Sequence, residues 1–215
     1  MIICTFMYWE ESCCPPWVST PSMDDALSLL QGLIQILPSG LQDHLHRTRD
    51  TALELASRHN VDFRKVELGA LGHDLLRATS DHQLLAEALT TGHHVHPVEE
   101  QVPILLHGPL AAQRLRHLDI ITDVEVLEAI QWHSTACPGM GMVGLVVFLA
   151  DKLDPRKVRR SPWLKRLEDT AKVSLETAAA EYLTSEIARL LKGGSVLHPA
   201  SVEARNYLLM ETRRP

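Results

Sequence analysis

A histidine and an aspartate stand side by side, His73-Asp74, where an apolar helical pattern runs out in Ala70-Leu71-Gly72. The pair can offer an imidazole nitrogen and a carboxylate to one cation, since neighbouring helical residues are turned by about 100° and approach a point from two sides. Such dipeptides are common by chance, and the weight comes from their company. His44 lies one helical segment upstream, and His107, His133 and Asp151 follow, each at an edge of its own apolar segment. Taken as one set, His44, His73, Asp74, His107, His133 and Asp151 form a nitrogen and oxygen donor site with no thiolate. Donors of this kind suit Fe, Mn, Co or Zn better than Ca or Mg. Six ligands exceed what one tetrahedral metal takes. Two metals sharing Asp74 as a bridge are the economical arrangement, with His44, His73 and Asp151 on the first and His107 and His133 on the second. A metal pair activates water at neutral pH and clamps phosphoryl oxygens during in-line attack. The chemistry implied is hydrolysis of a phosphate ester or anhydride. Arg77, one turn beyond Asp74, could hold a phosphate oxygen, and Lys152, Arg156 and Lys157 add positive charge just past Asp151.

The elements that must position these residues read as helices throughout. Ser22 can cap a helix from Met23, with an apolar stripe Leu27, Leu30, Leu33, Ile34 that Pro38 and Gly40 end. A second helix runs from Leu41 to His59 and carries His44 near its start. Asp62 can cap a third, in which Gly69 and Gly72 allow a neighbour to approach closely. Asp81 opens a fourth that Gly92 stops, and His93-His94-Val95-His96-Pro97 reads as a polar loop beside the pocket rather than a second metal site. A helix follows His107-Gly108-Pro109. Thr122 with Glu125 forms a capping box for the helix that reaches His133. Val143 to Asp151 is a buried core helix, too short an apolar run to span a bilayer. Ser161-Pro162 opens one long amphipathic region that Gly193-Gly194 ends, and Pro199 starts a final helix. No strand alternation is present. The expectation is an all-α single domain over residues 22–215, with its core at about 40–160, preceded by residues 1–21, which match nothing downstream and read as an extension ahead of a true start at Met23.

Composition narrows the function classes. The 215 residues carry a net charge of −6, which argues against a nucleic-acid backbone as the main partner. Twelve histidines is a high count for this length and fits metal work. Cys4, Cys13, Cys14 and Cys137 match neither a zinc motif nor a disulfide framework, and no secretory signal is visible, so a cytoplasmic location is expected with no membrane partner. The C-terminal helices either cover their own core or pair with a second copy as a homodimer. His46 points to another side of its helix from His44, and Pro138 keeps Cys137 from the His133 cluster.

In order and spacing, His44, His73-Asp74 and Asp151 resemble the HD-domain phosphohydrolase superfamily, an all-helical fold. Leu71-Gly72-His73-Asp74, Pro103 to Gly108 with Ala112, Ala129-Ile130 with His133, Met140, and Phe148 to Pro155 resemble in particular the YqeK-type family of bacterial symmetrical bis(5'-nucleosyl)-tetraphosphatases. The resemblance covers roughly residues 40 to 190. It implies hydrolysis of diadenosine tetraphosphate to two ADP at a di-iron-type centre, Asp74 and Arg77 serving catalysis, and Thr135 joining Arg77, Lys152, Arg156 and Lys157 around the nucleotide. The chain departs from the family in having Arg77 for Lys, Ala111 and Ala136 for Gly, and Lys157 for Arg. Two other readings share the scaffold: a nucleotidase or phosphodiesterase on another nucleotide, and a non-catalytic nucleotide-binding protein.

Overall fold

In the computed structural model, which describes residues 22–212, the chain is helical from Met23 onward with no strand among the described residues. The expected extension at residues 1–21, with Cys4, Cys13 and Cys14, lies outside the described residues. The helices are α1 (Met23–Gln35), α2 (Ser39–His59), α3 (Phe63–Gly72), α4 (Asp81–Thr90), α5 (Pro97–Gln101), a 3-10 turn (Pro103–Leu106), α6 (His107–His117) and α7 (Val124–Trp132). Then come α8 (Met142–Lys152), α9 (Pro155–Val158), α10 (Pro162–Ala171), α11 (Leu175–Lys192) and α12 (Pro199–Glu211).

Local chemistry explains most boundaries. Ser22 and Asp25 form a reciprocal capping box, the Ser22 hydroxyl accepting the Asp25 N–H at 3.2 Å and the Asp25 carboxylate accepting the Ser22 N–H at 3.1 Å. Asp62 accepts the N–H groups of Arg64 and Lys65 at 2.9 and 3.0 Å. Asn60 takes the left-handed conformation that ends α2, at φ 53°.

Two boundaries differ from the sequence reading. The cap of α7 is Asp123, whose carboxylate accepts the N–H groups of Glu125 and Val126, and not Thr122. A carboxylate at the positive helix end is a stronger acceptor than a hydroxyl one residue earlier. The long region after Ser161 is two helices, because the Ser174 hydroxyl caps a fresh start at Leu175 by accepting the Thr177 N–H. His96 also does more than sit in a loop: its ring accepts the Val98 N–H and caps the short α5.

Packing places α2, α3, α7 and α8 side by side, with α6 against α7, α1 against α3, and the α10–α12 group reached through α11 on α8. The apolar interior has two parts. One gathers Leu30, Leu45, Leu71, Leu84, Leu115 and Ile130. The other gathers Leu55, Val66, Phe148, Leu167, Ala179 and Leu183. Helices α2, α3 and α7 feed both, so they form a partition rather than a surface layer. Every residue from Val143 to Asp151 is buried, as the continuous apolar run requires. Among the described residues no helix is long and apolar enough to cross a membrane.

Two close approaches decide how the helix ends meet. A Cβ on Gly72 would lie 2.7 Å from the Ile130 Cδ1 atom of α7. A Cβ on Gly108 would lie 2.9 Å from the carbonyl oxygens of both Gln131 and Ile130. Backbone cannot yield as a side chain can, so Gly108 sets how near α6 comes to the end of α7. Gly108→Ala is expected to destabilise the fold by about 1–3 kcal/mol, the usual scale of overpacking, as a lowered midpoint in urea unfolding.

Candidate metal centre

The six residues picked from sequence come from five helix ends or turns and meet. His44 lies in the second turn of α2, His73 caps α3 with Asp74 just after it, His107 opens α6, His133 caps α7, and Asp151 is the penultimate residue of α8. All but the half-buried His44 are buried, His73 completely.

Three of the imidazoles are aimed by one repeated device. The His73 Nδ1 lies 2.7 Å from the Ala70 carbonyl, and the His133 Nδ1 lies 2.8 Å from the Ile130 carbonyl. The His107 Nδ1 meets the Ile104 carbonyl in the same way. Helix ends leave such carbonyls without a partner, and a ring three residues on can fold back to supply one. A carbonyl can only accept, so each Nδ1 carries a proton and each Nε2 is left to face the interior of the cluster. His44 reaches the same state differently: its Nδ1 lies 2.9 Å from Asp154 Oδ2. Asp154 is buried, grips Arg47 through Nε–Oδ1 at 3.1 Å and Nη2–Oδ2 at 2.9 Å, and caps α9 through the Arg156 N–H. Arg47 and the Arg156 N–H outweigh burial and hold Asp154 at about 2.

The four Nε2 atoms therefore face two carboxylates. Asp74 divides its oxygens between two sides: Oδ1 lies 2.9 Å from His107 and 3.3 Å from His133. Oδ2 lies 3.6 Å from both His44 and His73. Asp151 Oδ1 lies 3.2 Å from the His44 Nε2. Ligand atoms of His44, His73 and Asp151 lie within 4.8 Å of one another, as do those of His73, Asp74 and His133. His73 thus stands near both groups, where the sequence reading gave it to one.

This arrangement fits cations. The His107 and His133 Nε2 atoms lie 2.9 Å apart, and the His73 Nε2 is buried without a hydrogen-bond partner. Positive charge must come from ring protons or from metal. Burial opposes the protons at two rings, pushing His73 down and His133 down to about 4, whereas at His44 the Asp151 and Asp154 carboxylates outweigh burial and push the ring up. Asp151 stays ionised although burial pushes it up. The Lys152 ammonium at 2.6 Å, His44 and Lys157 at 3.2 Å hold it well below the usual carboxylate range. The imidazoles around Asp74 do the same for its carboxyl against burial. Ligating histidines whose other nitrogen is tied to a carbonyl or carboxylate are the normal form of a protein metal site.

The other sequence candidates are placed less uniformly. Lys152 is engaged inside the protein, bonding Asp151 and the His133 carbonyl at 3.0 Å, with its ammonium 5.1 Å from the Phe148 ring centroid. Lys157 is exposed and lies 2.9 Å from the Asp151 carbonyl. Arg156 is exposed and pairs with Asp43 at 3.6 Å. Arg77 is exposed on the turn after Asp74 and has no ion pair among the described residues. Thr135 is buried beside His133 in sequence. His46 is exposed, and neither it nor Cys137 belongs to the clustered donor groups. Sequence reasoning missed Asp154 and Arg47. The signal was present, since Asp-Pro after a buried helix marks a cap with Pro at the first helical position.

The HD domain family model matches residues 41–156, just over half of the chain and a span that holds all six residues. The chain belongs to the HD domain family. Among its relatives are proteins named symmetrical bis(5'-nucleosyl)-tetraphosphatase. The one from Halalkalibacterium halodurans is 29% identical over 187 residues, covering 84% of this chain and 97% of that protein. The one from Bacillus subtilis is 25% identical, covering 77% and 88%. A crystal structure from Clostridium acetobutylicum, described as a predicted HD superfamily hydrolase involved in NAD metabolism, matches with a TM-score of 0.81. It has 25% sequence identity and covers 90% of this chain and all of that one. The all-helical HD fold expected from sequence is the fold present.

The Asp154 carboxylate gives a direct test of the site's support. Asp154→Asn, which keeps an acceptor for the α9 cap, should leave the helices intact but weaken metal retention by about 10–100-fold, the scale of losing a partner behind a ligating histidine. Metal content after dialysis against graded chelator reads this.

Proposed function

We propose that this HD-domain protein is a metal-dependent hydrolase that splits diadenosine tetraphosphate symmetrically into two ADP. The observation that carries the reading is the convergence of four Nε2 atoms on two ionised carboxylates, with Asp74 turning one oxygen to each side. The names of relatives that align along most of their own length support the substrate. The ligands proposed are His44, His73 and Asp151 for one metal, His107 and His133 for the other, and Asp74 between them. Iron is proposed first, with Mn, Co or Zn suited to the same donors.

When bound, such a metal pair supplies Lewis acidity that lowers the pKa of water and neutralises charge on phosphoryl oxygens. The chain supplies the rest. The carbonyl-bound rings hold their nitrogens in place without reorganising, which is preorganisation of the kind electrostatic catalysis needs. Lys152 and Lys157 fix the Asp151 carboxylate from two sides. Exposure within the cluster falls mainly on the His44 and Asp151 side chains, while His73, His107 and His133 are kept from bulk water. Arg77, exposed and unpaired among the described residues, is proposed to meet charge on the departing ADP, and Arg156 and Thr135 to line the phosphate path. The cytoplasmic location expected from sequence is kept in this reading.

Chromatography of products after loading with Fe, Mn or Co is the test. ADP alone from diadenosine tetraphosphate is expected; AMP with ATP would overturn the symmetrical assignment. His73→Ala should lose bound metal and lower kcat/KM by about a hundredfold or more together. Turnover retained without metal would remove the metal from the mechanism.

A further inference from the structure

Beside α9 lies a groove of about 670 Å³, within the range of small-molecule sites. Pro155, Val158 and Pro162 give it an apolar lining, and Arg159, Arg160 and Lys165 line it with cations. Glu168 also borders it, but its charge is met by Lys165 and by Lys172 at 3.5 Å. Arg159 and Arg160 are exposed and have no ion pair among the described residues. The local charge is exceptional: from Arg156 to Arg166 there are six basic residues and no acidic one, in a chain of net charge −6.

Helix α9 is a wall common to the groove and the metal cluster. Lys157 turns one way, its ammonium 2.9 Å from the Asp151 carbonyl. Pro155 and Val158, three residues apart and so on one face, line the groove. Asp151 and the groove thus both border the same short helix. A flat apolar lining beside unpaired guanidiniums suits a heterocycle carrying phosphates, since Arg both stacks on planar groups and pairs with phosphate oxygens.

We propose that this groove seats the second nucleoside diphosphate half of a dinucleoside polyphosphate while the metal cluster holds the scissile phosphate. This rests on the tetraphosphatase reading and adds to it a place for the half that the cluster cannot reach. A substrate cleaved at its centre carries a full nucleotide on each side of the broken bond, so two nucleotide seats are required. Arg159 and Arg160 bind and orient that half; they do not touch the reacting phosphorus.

The test compares two double variants with the same change of net charge. Arg159→Ala with Arg160→Ala removes the groove cations. Arg166→Ala with Lys192→Ala removes two exposed cations outside the lining. On metal-loaded enzyme the first should raise KM for diadenosine tetraphosphate at least tenfold, and the second less than threefold. Equal effects would mean that only the general field matters, and no effect would mean an unused groove; either overturns the proposal. Equilibrium binding of ADP to the metal-stripped protein is the second measurement, and it stands apart from turnover. The wild type should bind ADP, and the groove variant should bind it at least tenfold more weakly. If the wild type binds but turns over no tetraphosphate, the activity reading fails while the nucleotide seat stands. A single-stranded oligonucleotide that binds the wild type more tightly than ADP and displaces it would assign the groove to nucleic acid and overturn the seat.

Discussion

The centre depends on hydrogen bonds made by the nitrogens that face away from it. A neutral imidazole has one donor and one acceptor nitrogen, and the partner of the first decides which way the second points. In His73, His107 and His133 that partner is the carbonyl three residues earlier, at the end of a helical turn. In His44 it is the Asp154 carboxylate, itself clamped by Arg47. Every ring therefore commits its Nδ1 proton outward, and the inward face of the cluster is built mainly of Nε2 atoms and carboxylate oxygens, with the Ser134 hydroxyl 3.1 Å from the His133 Nε2 and the Lys152 ammonium 2.6 Å from Asp151. Nitrogen and oxygen atoms packed this closely suit a cation among them, so the electrostatics of the cluster agree with its residue types and with the metal use that the HD domain implies.

Holding such a cluster together requires the helices to be brought end to end with little freedom. Two apolar interiors do this, sharing α2, α3 and α7 as their partition. Gly72 and Gly108 let α3 and α6 approach α7 more closely than any side chain would permit. Ionised carboxylates in this interior are costly to bury, and the cost is offset locally. Lys152 and Lys157 face Asp151, and Arg47 faces Asp154. Lys152 in turn rests over Phe148 and bonds the His133 carbonyl, so two ligand-bearing helix ends are tied by one ammonium.

Positive charge outside the cluster is distributed in two grades. Lys152 is spent on internal structure, whereas Arg77, Arg159 and Arg160 are exposed and unpaired among the described residues. An acidic chain that leaves these guanidiniums exposed keeps local attraction for anions on the turn after Asp74 and along the groove beside α9.

Much of this was legible in the linear chain. Helices were readable from apolar spacing and caps, because those are local: Ser22 and Asp62 cap where their side chains must. The six donors were legible because each stands at the edge of an apolar segment, where a helix end delivers a polar side chain to an interior. Local signals failed where two neighbours competed, as Asp123 did with Thr122, or where one hydroxyl restarted a helix, as at Ser174. Residue types and order alone determined the helical class and marked out the six residues that converge. Which nitrogen each ring exposes, that Asp74 divides its oxygens, that Asp154 and Arg47 stand behind His44, and that Lys152 is internal were decided only by the tertiary structure. Those facts belong to pairs of atoms as far as 110 residues apart in the chain, and no local preference encodes a distance between them.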